Sequence, residues 1–242
     1  MDTCKNCNEP ISGNFCSNCG QPATLRRIDG RYIIHEIKEI LCGNRGFVYT
    51  IKKMLTTPGE SVRSFLAKDR YRFVKPITFV IITSLIYALI NHFFRISVED
   101  LGLSGEEVSP TTILIFHWMT FEYPGYATML TGLYMAFWIK LFFRKSGYNL
   151  FEVFILMCFI SGVSALFMSV VTPIQGLSQL NIIQLSSVVL IIYFMWAVGQ
   201  FFGEKKIKNY VKALIAYILG VLVLSILIVF VGTLIDVLKG VV

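Results

Sequence analysis

Five stretches of the chain are apolar almost without interruption. They are PITFVIITSLIYALINHFF (76–94), PGYATMLTGLYMAFWIKLFF (124–143), FEVFILMCFISGVSALFMSVV (151–171), LNIIQLSSVVLIIYFMWAVGQFF (180–202) and ALIAYILGVLVLSILIVFVGTLI (213–235). An α-helix needs about 20 such residues to cross roughly 30 Å of hydrocarbon. The pattern therefore predicts an all-α membrane protein with five transmembrane helices forming a bundle over 76–242. A short loop is expected between spans three and four, from Pro173 to Gln179. The central parts of all five spans hold no Asp, Glu, Lys, Arg or His. Such groups usually mark transport paths and proton relays, so a proton-coupled carrier or an intramembrane hydrolase is disfavoured.

Ahead of the first span the pattern changes. RYIIHEIKEILC (31–42) and FVYTIKKML (47–55) carry apolar residues at helical spacing, separated by a break at GNRG (43–46). TTPGESVRSFLAKDRYRFVKP (56–76) begins another amphipathic helix, with Val62, Phe65 and Leu66 on one side. Thr57 stands where an N-cap belongs, Pro58 suits the first helical position, and Glu60 completes a capping box. Residues 25–75 read as short amphipathic helices lying against the inner leaflet or against the span bundle. Asn149 and Glu152 predict a second capping arrangement at the start of span three.

Charge fixes orientation. Twenty of the 22 Lys and Arg residues fall on one side of the five-span arrangement, thirteen of them in residues 1–75, and only Arg95 and Lys239 on the other. The first loop on the sparse side is acidic instead, with Glu99, Asp100, Glu106, Glu107 and Glu122. Cytoplasmic loops carry the cationic excess, so the N-terminus is expected in the cytoplasm and the C-terminus outside a bacterial inner membrane. No apolar h-region occupies the first 24 residues, so no secretory signal is expected. Within the acidic loop, TTILIFHWM (111–119) is too short to span and is expected at the outer interface, with Trp118 at headgroup depth. His117 and Glu122 are too few to make a metal site there.

The chemistry sits at the front. Cys4, Cys7, Cys16 and Cys19 form C-x2-C-x8-C-x2-C within residues 1–24. Facing the reducing cytosol, paired cysteines read as metal ligands and not as disulfides. Two two-thiolate knuckles supply the tetrahedral set of one structural Zn2+, whose closed shell leaves no position for catalysis. About twenty residues cannot bury a core of their own, so the metal is expected to stabilise this zinc ribbon. Cys42 and Cys158 have no spaced partner and read as packing residues.

Arg63, Lys68, Arg70, Arg72 and Lys75 form a basic collar ahead of span one. Its blander role is to fix orientation; its functional role is contact with anionic lipid headgroups or a partner. Nucleic acid is not expected as a partner, because no groove-reading motif accompanies the charge. Small residues at Thr128, Gly132 and Ala136, at Ser84 and Ala88, and at Ser161 and Ala165 have the spacing that lets helices approach closely, within a monomer or a homo-oligomer. No nucleophile elbow, phosphate loop or His-rich cluster is present.

The ribbon CKNCNEPI…FCSNCGQ, followed by TTPGESVRSFLAKDRYRFVKPITF, resembles a bacterial membrane family of unknown function, DUF3667, over roughly residues 4–95. The resemblance implies a ribbon-plus-spans topology and brings no activity. A looser likeness, of architecture alone, is to Yip1-type five-span proteins. The reading that results is a non-enzymatic integral membrane protein whose zinc ribbon docks an unknown protein partner or the bundle itself. The alternative is a channel, small-solute carrier or lipid-handling protein gated by the ribbon. Its path would have to be lined by Thr83, Ser84, Ser161, Ser164, Ser169, Ser186 and Ser187.

Overall fold

The computed structural model describes residues 3–4, 7, 9–10, 13–19, 46–94, 109–178, 182–203 and 206–239. Eight α-helices follow one another among them: α1 (Phe47–Thr56), α2 (Pro58–Ala67), α3 (Pro76–Phe94), α4 (Pro110–His117), α5 (Pro124–Phe142), α6 (Leu150–Ser178), α7 (Ile182–Gly203) and α8 (Ile207–Lys239). A π-helical turn, Trp118–Glu122, joins α4 to α5, and a 3-10 turn, Arg144–Ser146, follows α5. The expected helix at 31–42 and Cys42 lie outside the described residues.

Four helices are long and apolar enough to cross a membrane: α3, α6 (over Leu150–Leu177), α7 (over Gln184–Gly203) and α8. The segment expected as span two forms α5 and packs against α3, α6 and α8. Its Thr, Gly, Tyr and Trp residues and Lys140 leave it less apolar than those four. Lys140 bends back to donate to the Tyr148 carbonyl. The loop expected at Pro173–Gln179 does not begin at the proline, because α6 runs through Pro173 to Ser178. A proline inside a membrane helix is tolerated where neighbours support the turn it loosens. Beyond it α6 lies close against α3: a Cβ on Gly176 would be 3.1 Å from the Phe94 ring.

The most extensive pairing in the bundle is α3 with α6. It is made close by Gly162, where a Cβ would stand 2.5 Å from the Phe79 ring. Phe79 belongs to an aromatic cluster drawn from five segments. Phe159 of α6 lies 5.4 Å from Phe65 of α2, 6.1 Å from Phe73 and 5.8 Å from Phe79, and Phe47 of α1 lies 5.4 Å from Phe79. Tilted and edge-on ring pairs contribute about 0.5–1.5 kcal/mol each beyond area burial. Between α1 and the Phe73 segment, Gly46 (φ 91°) makes a parallel bridge to Phe73. The buried Thr50 hydroxyl donates to the Gly46 carbonyl and accepts from the Val74 N–H.

Helices α1 and α2 therefore belong to the bundle. Met54 and Val62 are wholly buried, and the Tyr193 hydroxyl of α7 donates to the Met54 carbonyl at 3.0 Å. The sequence leaves open whether these helices lie on lipid or on the spans; in the structure they pack on the spans. The expected capping box of α2 does not form. Thr57 makes no capping bond, its hydroxyl pairs with Ser61 at 3.2 Å, and Glu60 is exposed. What holds the start of α2 is the close approach of Gly59 to α7. The Asn149–Glu152 arrangement is reciprocal as expected, with the two backbone N–H bonds at 2.7 and 2.8 Å.

At the opposite end of the bundle, α4 is seated on the last turns of α8. Ser109 and Thr111 hydroxyls and the Thr111 N–H donate to the carboxylate of Asp236, which is 1% exposed. A Cβ on Gly232 would come within 2.0 Å of the Thr112 hydroxyl. A carboxylate taken out of water needs such donors, and this one supplies the tie between α4 and α8.

Gly59 gives the sharpest test of the packing. A Cβ there would lie 2.2 Å from the Phe201 nitrogen, 2.6 Å from the Gln200 carbonyl carbon and 2.8 Å from the Ala197 oxygen, all backbone. Helix propensity alone would favour alanine by about 1 kcal/mol. Overpacking costs about 1–3 kcal/mol and here meets atoms that cannot swing away. Gly59→Ala should thus lower the melting temperature of the purified protein, whereas Glu60→Ala leaves it unchanged. A melting temperature raised by Gly59→Ala would contradict this packing.

Candidate metal centre

The four predicted cysteines come together. All their sulfurs lie within 4.8 Å of one another. Cys4–Cys19, Cys7–Cys16 and Cys7–Cys19 are each 3.5 Å apart. Thiolates about 2.3 Å from a central ion mark a tetrahedron with edges of about 3.8 Å, so the quartet fits one metal ion with little movement. Local backbone builds it. An antiparallel bridge between Thr3 and Pro10 and a bond from the Cys4 N–H to the Glu9 carbonyl at 2.9 Å close the first knuckle. Cys4 and Cys16 are buried, Cys7 is half-buried and Cys19 exposed.

The electrostatics favour a cation. The backbone N–H groups of Cys19 and Asn18 point at the Cys16 sulfur and hold its thiol below the ordinary range. Cys7 receives the Glu9 N–H, which pulls its thiol down. Desolvation and the neighbouring Cys19, Cys16 and Cys4 thiols outweigh that pull and push it up to about 12. Four sulfurs this close cannot all lose their protons without a positive charge among them, and a bound divalent ion deprotonates its thiols. With all four coordinated, no position is left open for a substrate. Gly20, which follows Cys19 directly, lies outside the described residues.

The collar residues are not equivalent. Arg63 is half-buried, and its guanidinium donates to the Gln200 and Phe201 carbonyls at 2.5 and 3.1 Å. The Asn209 amide donates to the Phe202 and Gly203 carbonyls at 3.0 and 3.1 Å. These are the last four carbonyls of α7, which have no partner inside their own helix. A cation at that end also meets the negative pole of the helix dipole. The Gln200 side chain completes the joint by accepting the buried Gly59 N–H at 2.8 Å. Lys68, Arg70, Arg72 and Lys75 are exposed. Arg70 donates to the Leu66 carbonyl at the end of α2, and Arg72 lies 5.7 Å above the Tyr71 ring.

Gln200, Asn209 and Asp236 are the residues that sequence reasoning missed. None has a spacing that marks it, and the signal that could have found Asp236 is a lone carboxylate at the end of an apolar run. Cys158 is buried in the core, as expected. His117 and Glu122 approach to 3.8 Å as an exposed pair. The stripe Thr128–Gly132–Ala136 is used inside the chain, with Gly132 and Ala136 buried. The hydroxyls of Thr83, Ser164, Ser169, Ser186 and Ser187 donate to carbonyls of their own helices, whereas Ser84, also buried, has no hydrogen-bond partner.

The family described as Protein of unknown function (DUF3667) matches residues 44–88. That segment holds α1, α2, the Phe73 strand-like link and most of α3. No curated protein and no solved structure matches the chain.

Metal content follows directly from the sulfur geometry. Purified under reducing conditions, the protein should carry one thiolate-bound metal ion per chain, retained at neutral pH. It should be released as pH falls and protons compete for the sulfurs. Elemental analysis across a pH series checks this, and Cys16→Ser should lower the content well below one ion per chain.

Proposed function

We propose that the protein is a non-enzymatic, five-span integral membrane protein whose cytoplasmic zinc ribbon docks a protein partner. The observation that carries the reading is the closed four-sulfur site, which offers a metal a complete shell and a substrate none. Zinc is the metal assigned, because a tetrahedral thiolate quartet with this ligand spacing suits it best. The fifth span is α5. It has 19 residues, the same length as α3, and so reaches about 28 Å at ~1.5 Å per residue. It also lies among α3, α6 and α8.

Five crossings put the two ends of the chain on opposite sides of the membrane. One end of the bundle gathers exposed Lys52, Lys53, Lys68, Arg70, Arg144, Lys145 and Lys208 against Glu60, Asp69 and Glu152, and the other holds Glu122 and Asp236 with the single Lys239 among the described residues. By the positive-inside bias the first end faces the cytoplasm of a bacterial inner membrane. Lys68, Arg70, Arg72 and Lys75 then face anionic headgroups, worth about 1 kcal/mol each near the surface. Arg63 has a different duty, closing α7. The channel or carrier reading gains little support: five of its seven candidate hydroxyls, those of Thr83, Ser164, Ser169, Ser186 and Ser187, already bond to carbonyls of their own helices.

Cross-linking and mass spectrometry in native membranes should find a protein partner that wild type retains and Cys16→Ser plus Cys19→Ser loses at matched expression. An identical partner set in both would reduce the ribbon to a folding element.

A further inference from the structure

The cysteine quartet is lopsided. Cys4 and Cys16 are 1% and 2% exposed, whereas Cys7 is half-buried and Cys19 is open to solvent. Ser17 and Asn18, which lead up to Cys19, are exposed as well. The three closest sulfur approaches, each of 3.5 Å, are Cys4–Cys19, Cys7–Cys16 and Cys7–Cys19. Each of them joins one knuckle to the other. Dithiol redox motifs close within one C-x-x-C pair; here the close sulfurs lie across. A disulfide measures about 2.05 Å between sulfurs, so each of these pairs is about 1.5 Å short of a bond. Of the three, Cys7–Cys19 alone has no buried member.

We propose that this open edge makes the metal centre a redox switch, in which a hydroperoxide joins Cys7 and Cys19 in one disulfide and frees the metal. The inference rests on the metal reading above and adds the regulation of that site. Metal-bound sulfur stays thiolate, and oxidation follows thiolate character and exposure, so Cys19 is the point of entry. Its sulfur attacks one peroxide oxygen; the O–O bond breaks, hydroxide leaves and a sulfenic acid forms. The Cys7 thiolate then attacks the Cys19 sulfur, the S–O bond breaks and a second hydroxide leaves. Two electrons pass from the two sulfurs to the peroxide, and the hydroxides take protons from solvent to become water. The new bond withdraws one ligand from each knuckle. Cys4 and Cys16 remain, half a tetrahedral set and too few to hold the ion. The ribbon thereby loses the metal that stabilises it. The disulfide still ties the two knuckles together, and a thiol reductant reverses it and restores the site.

The test uses the full chain in detergent, with Cys42→Ser to remove a thiol outside the quartet, loaded with zinc under reducing conditions and then freed of reductant. Hydrogen peroxide is added in steps. Released zinc is read with a chromophoric chelator, and remaining thiols are alkylated after an acid quench for peptide mapping. The expected result is one zinc released per disulfide formed, with Cys7–Cys19 the major disulfide at half release. A dithiol reductant and fresh zinc should restore the starting metal content. Cys19→His keeps a four-ligand Cys3His set and should slow release about tenfold, since imidazole replaces the exposed thiolate. Cys4→His, the same exchange at a buried sulfur, should leave the rate and the Cys7–Cys19 bond as in the parent chain. If either variant binds no zinc, the disulfide map of the parent chain decides. Disulfides formed mainly within Cys4–Cys7 or Cys16–Cys19, release without a disulfide, or zinc retained while free glutathione in the same tube is oxidised would each overturn the switch. A reduced chain that takes up no zinc would instead overturn the metal reading, and the switch with it.

Discussion

The C-terminus of α7 is half-buried at Phe202 and Gly203, with four carbonyls that its own helix cannot satisfy. Everything at that end of the bundle is arranged around closing them. Asn209 closes two from the start of α8, and Arg63 reaches across from α2 to close the others. Arg63 can do so only because Gly59 lets α2 come against the backbone of α7. That approach in turn places Phe65 and Phe73 on Phe159, and through Phe79 on α3. A side chain at 59 or a neutral one at 63 would disturb the α7 end, the seat of α2 and the aromatic cluster together. The family match to 44–88 covers this joint from one side.

Much of the architecture was legible in the sequence, and the reasons are physical. Apolar runs of about twenty residues have few alternatives to membrane helices, so α3 and α7 fall close to their expected bounds, whereas α6 runs past its expected end to Ser178 and α8 extends its run by polar turns. The cysteine quartet was legible because metal coordination fixes both ligand type and spacing. Other features depended on contacts between segments distant in sequence. Arg63 reads as one more collar cation until α7 is seen to end beside it. Thr57 and Glu60 satisfy a capping pattern, yet Gly59 and Gln200 decide how α2 begins. Pro173 marks a break in sequence, but the helix continues through it to Ser178, packed on α3. Asp236 shows why a carboxylate at the edge of an apolar run is ambiguous: only the donors of α4 make its burial tolerable.

The two ends of the bundle differ in kind. One is closed by ring stacking, carbonyl caps and a backbone-close glycine, with Phe143 stacked on Phe202 at 4.0 Å. Among the described residues the other is held by one carboxylate tie, a short helix and a π-helical turn, with volume left between the helices. The closely packed end is the one that seats α1 and α2 on the spans.

The central claim is that α1 and α2 are part of the bundle, locked by Arg63 and Gly59, and not helices resting on a membrane surface. Hydrogen–deuterium exchange of the full chain in nanodiscs, wild type against Arg63→Ala, tests it most directly. The account predicts that amides across 47–67 are protected about as strongly as those near the end of α7 in the wild type. Both regions should lose protection together in the variant. Fast exchange across 47–67 in the wild type, or an Arg63→Ala pattern identical to it, would contradict the account.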